Sequence, residues 1–131
     1  MTVLRVVAGV LVRDGRVLAA KRAPGTREAG LWEFPGGKLE PGEDDATALV
    51  RELAEELGVV VLAGELLGVN EHAYAHGVVR LAALRCTLVS GEPAALDHEA
   101  LRWLGPHELE SVDWAPADVP LLHAVRALLG A

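Results

Sequence analysis

The sequence predicts an α/β (α+β) fold in which a mixed β-sheet is sandwiched between helices. A valine-rich apolar run at residues 3–12 ends at Asp14-Gly15, a dipeptide suited to a hairpin turn, and residues 17–20 read as the returning strand. Ala46, Leu49, Val50, Leu53, Ala54 and Leu57 recur with helical spacing after an acidic start near Asp44, and Gly58 suits the residue just past a helix end. Alternating short extended segments and two amphipathic stretches then give the order β-β-β-α-β-β-β-α. Between these anchors, residues 23–30 contain Pro24, Gly25 and Gly30 and predict a loop. Residues 31–34 are short, aromatic and extended, and Pro35-Gly36-Gly37 is expected to stop them. Residues 59–61 and 65–71 are extended, residues 72–77 a connecting turn, and residues 78–89 a long strand closed by Ser90-Gly91-Glu92-Pro93. Residues 101–104 read as one more strand and residues 120–129 as the last helix. No repeat or linker interrupts residues 1–131, so one domain is expected.

Composition narrows the function. Of 131 residues, 51% are hydrophobic and 24% charged, a globular balance. Arg13, Asp14 and Arg16 break the best candidate for a membrane span, and the N-terminus lacks the pattern of a signal peptide. A single cysteine, Cys86, leaves no intrachain disulfide and no multi-cysteine metal cage, which favours a cytoplasmic location and an inert core thiol. The net charge of −7 argues against binding a nucleic-acid polymer. That charge is unevenly spread: residues 1–37 carry +3 and residues 38–56 carry −5.

The acidic segment has a chemical pattern. Glu52, Glu55 and Glu56 fall at i, i+3 and i+4 on the helix face opposite the apolar stripe, so three carboxylates share one patch. Like charges so placed repel, and a solvated helix face is the plain explanation of such a run. A hard divalent cation with oxygen ligands would offset the repulsion, and Mg²⁺ commonly keeps waters and binds substrate phosphates as well. Gly36-Gly37 offers backbone that a ligand can approach closely, and Lys38 follows as a phosphate partner.

The wider spacing decides against the plain explanation. Gly37, five residues, Glu43, seven residues, then Arg51-Glu52-Leu53-Ala54-Glu55-Glu56-Leu57-Gly58-Val59 resembles the Nudix box, residues 37–59, at every defined position. Leu31-Trp32-Glu33-Phe34-Pro35-Gly36-Gly37-Lys38 resembles the segment that enters the box in the MutT branch. Trp114-Ala115-Pro116-Ala117-Asp118-Val119-Pro120 looks like the base-recognition loop of MutT-type nucleoside-triphosphate pyrophosphohydrolases, particularly the bacterial (d)CTP-preferring members. With Asp97-His98-Glu99 also similar, the likeness covers nearly the whole chain.

The resemblance implies a Nudix fold and hydrolysis of a nucleoside triphosphate to a monophosphate and pyrophosphate. It implies Mg²⁺ as cofactor, with Mn²⁺ as a substitute, and a monomer or homodimer. By similarity the Gly36 carbonyl, Glu52 and Glu56 would hold metal, with Glu55 a further or outer-sphere ligand. The base that activates water would be Glu52 or Asp97, with Glu99 behind them; relatives commonly carry glutamate where Asp97 stands. Arg51 would orient the neighbouring glutamates.

For substrate, Arg22 matches a phosphate-contacting arginine of the MutT branch, and a guanidinium suits phosphate as a two-pronged donor. Arg27 stands where the best-known members carry histidine. An aspartate accepts from the exocyclic amine of cytosine, so Asp118 tilts the expectation towards cytosine nucleotides. A protonated Asp118 would donate instead, which keeps guanine and oxidised guanine as alternatives, and capping of the last helix is its structural explanation. Phe34, Trp32, Trp103 and Trp114 could stack on a base, though large aromatics more often build core. Tyr74 falls near a tyrosine of dinucleoside-polyphosphate hydrolases, but in an expected turn. The five histidines show no metal-ligand spacing, so exposed or structural roles are expected.

No serine sits in G-x-S-x-G, and neither a P-loop nor G-x-G-x-x-G occurs. The expectation is therefore a nucleotide-pool hydrolase acting on (d)CTP or modified nucleotides. The alternatives are an 8-oxo-dGTP diphosphatase and a non-catalytic nucleotide-binding domain. The intact Arg51, Glu52, Glu55 and Glu56 argue against the last, since a binding domain would be free to lose their mutual repulsion.

Overall fold

The computed structural model describes residues 2–130. Among the described residues, seven strands form one mixed sheet. The first, β1 (Val3–Arg13), is central: along most of its length it runs parallel to β6 (Gly77–Ser90), from Val3 opposite Val78 to Leu11 opposite Cys86. Strand β5 (Val60–Tyr74) pairs antiparallel with β6 at one edge. The far end of β1 turns through Asp14 and Gly15 into β2 (Arg16–Lys21), which pairs with β3 (Trp32–Glu33) and β7 (Ala100–Leu104). Both turn residues have positive φ, 52° and 73°, the combination that a two-residue hairpin of this hand requires.

The sheet buries both faces. On one, Val7, Leu11, Leu18 and Cys86 pack with Leu49, Leu53 and Leu57 of helix α1 (Asp45–Leu57). On the other, Val10, Val17, Ala19 and Leu81 pack with Leu109, Trp114, Leu121 and Val125, the last belonging to helix α2 (Leu122–Leu129). Alternation along β1 divides its side chains between these two cores. Helix α1 begins where the acids predict: the Asp44 carboxylate accepts from the Thr47 N–H at 2.8 Å. It ends at Gly58, in the left-handed conformation, whose N–H donates to the Ala54 carbonyl.

Four expectations are corrected. Gly36–Lys38 does not merely stop the aromatic segment; it forms strand β4, antiparallel to Val6–Ala8. A Cβ on Gly36 would overlap the Val7 carbonyl oxygen, so the missing side chain is what admits the pairing. The two extended segments after α1 are a single 15-residue strand, β5, interrupted by shifts of register near Gly64 and Leu66. Bulges absorb the break at Leu62-Ala63-Gly64 that reads as a gap in the sequence. The expected turn at 72–77 shrinks to Ala75 and His76, because Tyr74 already pairs with Gly77. Finally, the last helix opens with a separate 3₁₀ turn, Val119–Leu121, before α2 begins. Among the described residues no helix is long and apolar enough to cross a membrane.

Candidate active site

A cleft of about 590 Å³ runs across the sheet between β4, the end of α1, the loop after β2 and the segment before the 3₁₀ turn. That volume suits a nucleotide-sized ligand. Arg22, Arg27, Phe34, Gly36, Lys38, Glu52, Glu56, Asp97 and Asp118 all line it. Arg51 and Glu55 do not.

Arg51 organises the acidic end. Its Nε and Nη2 donate to both oxygens of Glu43 at 2.7 and 2.8 Å, and its Nη1 reaches Glu52 at 3.0 Å and Glu55 at 3.3 Å. Nη2 also donates to the Lys38 carbonyl at 3.0 Å, which ties β4 to the helix. The Arg51 hydrogen bonds, followed by the Glu40 N–H, hold the Glu43 carboxyl down at about 2. Glu43 is specified by the box spacing, but only the structure gives it this work. Glu55 stays 60% exposed with its carboxylate on Arg51.

Glu52 and Glu56, one turn apart, face β4. A Cβ on Gly37 would overlap the Glu52 carboxylate, so the glycine leaves room for that group against the backbone. Glu56 is more deeply set: its Oε1 is buried without a hydrogen-bond partner. Burial first, then the charges of Glu52, Glu33 and Asp97, push its carboxyl up to about 8. A buried, unpartnered oxygen among like charges is the environment that a hard cation with oxygen ligands would relieve. Among the described residues no three His, Cys, Asp or Glu side chains converge to hold a metal by themselves. The donors present fit an ion completed by backbone carbonyl, water and phosphate oxygens, as Mg²⁺ prefers.

Glu33 links the two ends and was not singled out by the sequence. Its Oε1 accepts from Arg22 Nη1 at 2.9 Å, and its Oε2 lies 3.0 Å from Nε2 of His98. The Arg22 Nε also donates to the Arg27 carbonyl, so the guanidinium is held from both sides. His98, with only 5% of its side chain exposed, is a cleft residue beside Asp97. Its neighbour Glu99 pairs with Lys21 at 2.7 Å, fixing the segment that carries Asp97 to β2. An acid set between Trp32 and Phe34 is the available sequence signal for Glu33.

At the opposite end Asp118 is 5% exposed. It does not cap the helix that follows; its Oδ1 accepts from the Phe34 N–H at 3.0 Å. Residues 113–115 reach Trp32 through paired backbone bonds of 2.8 Å, and this brings the Asp118 loop to β3. Burial drives the Asp118 carboxyl well above the usual range, with the Phe34 N–H opposing. Phe34 lines the cleft and packs on Trp114 at 4.7 Å between ring centres. Trp103 lies elsewhere, beneath the Arg13 guanidinium. Tyr74 is also in the cleft, at the end of β5 and not in a turn. Cys86 is buried, and its thiol is pushed up to about 12 by that burial.

Fold and cleft together define a class: a mixed sheet between two helical layers, with a carboxylate-bearing helix opening onto a nucleotide-sized cleft. The sequence model of the NUDIX domain matches residues 3–125, and the chain belongs to the NUDIX family, as a Nudix hydrolase acting on nucleotides. It is 42% identical over 131 residues to the CTP pyrophosphohydrolase of Escherichia coli (strain K12), covering 100% of this chain and 97% of that protein. It is 47% identical over 116 residues to the putative 8-oxo-dGTP diphosphatase 2 of Mycobacterium tuberculosis, covering 86% of this chain and 81% of the relative. The solution structure of the E. coli ORF135 protein matches with a TM-score of 0.85 at 41% identity, covering 99% of this chain and 93% of that one.

Proposed function

We propose that residues 1–131 form a single catalytic domain that converts (d)NTPs to (d)NMP and pyrophosphate in the presence of Mg²⁺, with cytosine or modified nucleotides preferred. The observation that carries this reading is one cleft with two unlike ends: the Glu52–Glu56 carboxylates at one and the buried Asp118 carboxyl at the other. A polyphosphate suits the first end only with cations present, and a nucleobase suits the second. The names of the E. coli and M. tuberculosis relatives support the same class of substrate.

In this reading the Gly36 carbonyl, Glu52 and Glu56 hold Mg²⁺, with Mn²⁺ as a substitute, and Glu55 helps from outside through Arg51. Bound there, the ion supplies neutralisation of the polyphosphate and polarisation of the phosphorus under attack. Arg22, steadied by Glu33 and the Arg27 carbonyl, and Lys38 hold phosphoryl oxygens. Glu52 has one oxygen committed to Arg51, which fits a ligand; Asp97 is exposed on the cleft and takes the proton from the attacking water. The water oxygen bonds to one phosphorus of the α–β anhydride as the bridging P–O bond breaks, its proton passes to Asp97, and the displaced oxygen leaves on the other product, so that the monophosphate and pyrophosphate separate. Phe34, buried against Trp114, walls the cleft where its N–H holds Asp118 for the base. A second reading, cleavage of 8-oxo-dGTP, is favoured by one observation: burial pushes the Asp118 carboxyl towards its protonated form, and a protonated carboxyl can donate to a purine carbonyl.

The test is pyrophosphate release from unmodified, methylated and oxidised dNTPs, with Mg²⁺ and with chelator. Metal-dependent turnover, greatest for cytosine nucleotides, is expected. Binding without turnover of any nucleotide would instead identify a nucleotide-binding domain.

A further inference from the structure

Glu28 stands in the loop between β2 and β3 with φ of 58°, a left-handed conformation that costs a non-glycine residue about 1 kcal/mol or more. Two side-chain contacts hold it there. The Tyr74 hydroxyl donates to Glu28 Oε1 at 3.3 Å, and the adjoining Arg27 hydrogen-bonds to the His76 ring. The Tyr74 ring is itself packed between His72, at 4.5 Å, and His76, at 5.2 Å between ring centres. The loop is thus stapled to the β5–β6 hairpin, and the staple sets the Glu28 carboxylate on the cleft wall rather than in solvent. A single bond from Tyr74 leaves that carboxylate with unused acceptor capacity.

The cleft floor here is apolar, built from Leu4, Val6, Val79 and Leu81, and Asp118 lies at the same end. We propose that Glu28, positioned by Tyr74, is a specificity residue that accepts a hydrogen bond from the exocyclic amine of the nucleobase. This inference rests on the nucleoside-triphosphate reading above and names the edge of the base that is read. Two features support it. Burial, followed by the Glu28 charge, raises the Tyr74 hydroxyl to about 12, so it remains a donor. Asp118, with one oxygen on the Phe34 N–H and its carboxyl pushed by burial towards the protonated form, can donate from its other oxygen into the cleft that the Glu28 acceptor lines. An acceptor next to a donor matches an amine next to a ring-nitrogen acceptor, as at N4 and N3 of cytosine. Uracil presents the reverse pattern, O4 beside N3–H.

The test compares dCTP with dUTP, which share sugar and phosphates and differ at this edge. Turnover is measured with both, and affinity with their non-hydrolysable α,β-imido analogues, for the wild type, Glu28→Gly and Tyr74→Phe. Glycine removes the carboxylate while suiting the left-handed backbone. We expect the wild type to favour the cytosine ligand in both readouts. Glu28→Gly should lower the cytosine-to-uracil ratio about tenfold, and Tyr74→Phe about threefold, mainly through KM. A ratio unchanged in Glu28→Gly, or a wild type that favours uracil, overturns the assignment. Binding preference that is lost in Glu28→Gly without turnover in any variant overturns the hydrolase reading and leaves Glu28 as the reader of the base.

Discussion

Glu56 concentrates the tension of the acidic end in one side chain. Its folded carboxyl titrates near 8, against an ordinary value of 4.5, because burial and three neighbouring acids disfavour its charge. Between those values the unfolded chain has released the proton and the folded chain retains it. Folding of the metal-free protein is therefore favoured by low pH on this count and weakened as pH rises from about 4.5 to 8, with a slope approaching 1.4 kcal/mol per unit. Denaturation in chelator across that range should show the decline, and Glu56→Gln should flatten it. The same variant should lose more than about 100-fold in activity with Mg²⁺, as expected when a direct ligand is removed. A variant that retains kcat would take Glu56 out of the metal site. Arg51, by contrast, is expected from the resemblance to orient neighbouring glutamates, but nothing local names Glu43 or the Lys38 carbonyl as its partners. Its hold on Glu43, Glu52, Glu55 and the Lys38 carbonyl needs the loop and helix folded together.

At the scale of elements, the short strand β4 and helix α1 face each other across adjacent glycines that do different work. An added methyl at Gly36 meets the backbone of β1, which cannot move without breaking the pairing. Gly36→Ala should therefore destabilise the fold by about 2–3 kcal/mol, measured by denaturant unfolding. At Gly37 the methyl meets the end of the Glu52 side chain, which can swing away. Gly37→Ala should keep stability within about 1 kcal/mol and lower kcat/KM about 100-fold, because a carboxylate displaced by about 1 Å no longer serves the reaction. Equal losses of stability in both variants would contradict this division. Helix α1 itself is readable in its apolar period, its acidic start near Asp44 and its Gly58 terminus, which are local properties; the bond from the Thr47 N–H to the Asp44 carboxylate is what the structure adds. Strand β4 was not, because nothing local distinguishes a glycine pair that stops a strand from one that allows two backbones to pair.

Across the whole molecule, the parallel pairing of β1 with β6 lays the apolar floor of the cleft, and residues distant in sequence close its ends. Asp118 belongs to this scale, since its partner Phe34 lies 84 residues away. Exchanging its carboxyl, which donates only when protonated and otherwise accepts, for an amide that donates at every pH should reorder the bases: Asp118→Asn, whose oxygen can still take the Phe34 N–H, should change the cytosine-to-guanine ratio of kcat/KM about tenfold while the best substrate keeps its kcat. A steady-state panel that returns the wild-type ranking would reduce Asp118 to a support for Phe34. The layered fold, helix α1 and the box of carboxylates are legible along the chain, because periodicity, terminal glycines and short fixed spacings act within a few turns of it. Which of those groups share a cleft depends on the folded arrangement of the strands. That arrangement turned Asp118 from a helix cap to Phe34, joined His98 to Glu33 across 65 residues and Tyr74 to Glu28 across 46. Contacts of that range depend on strand order and register, which burial of both sheet faces fixes and no local pattern encodes.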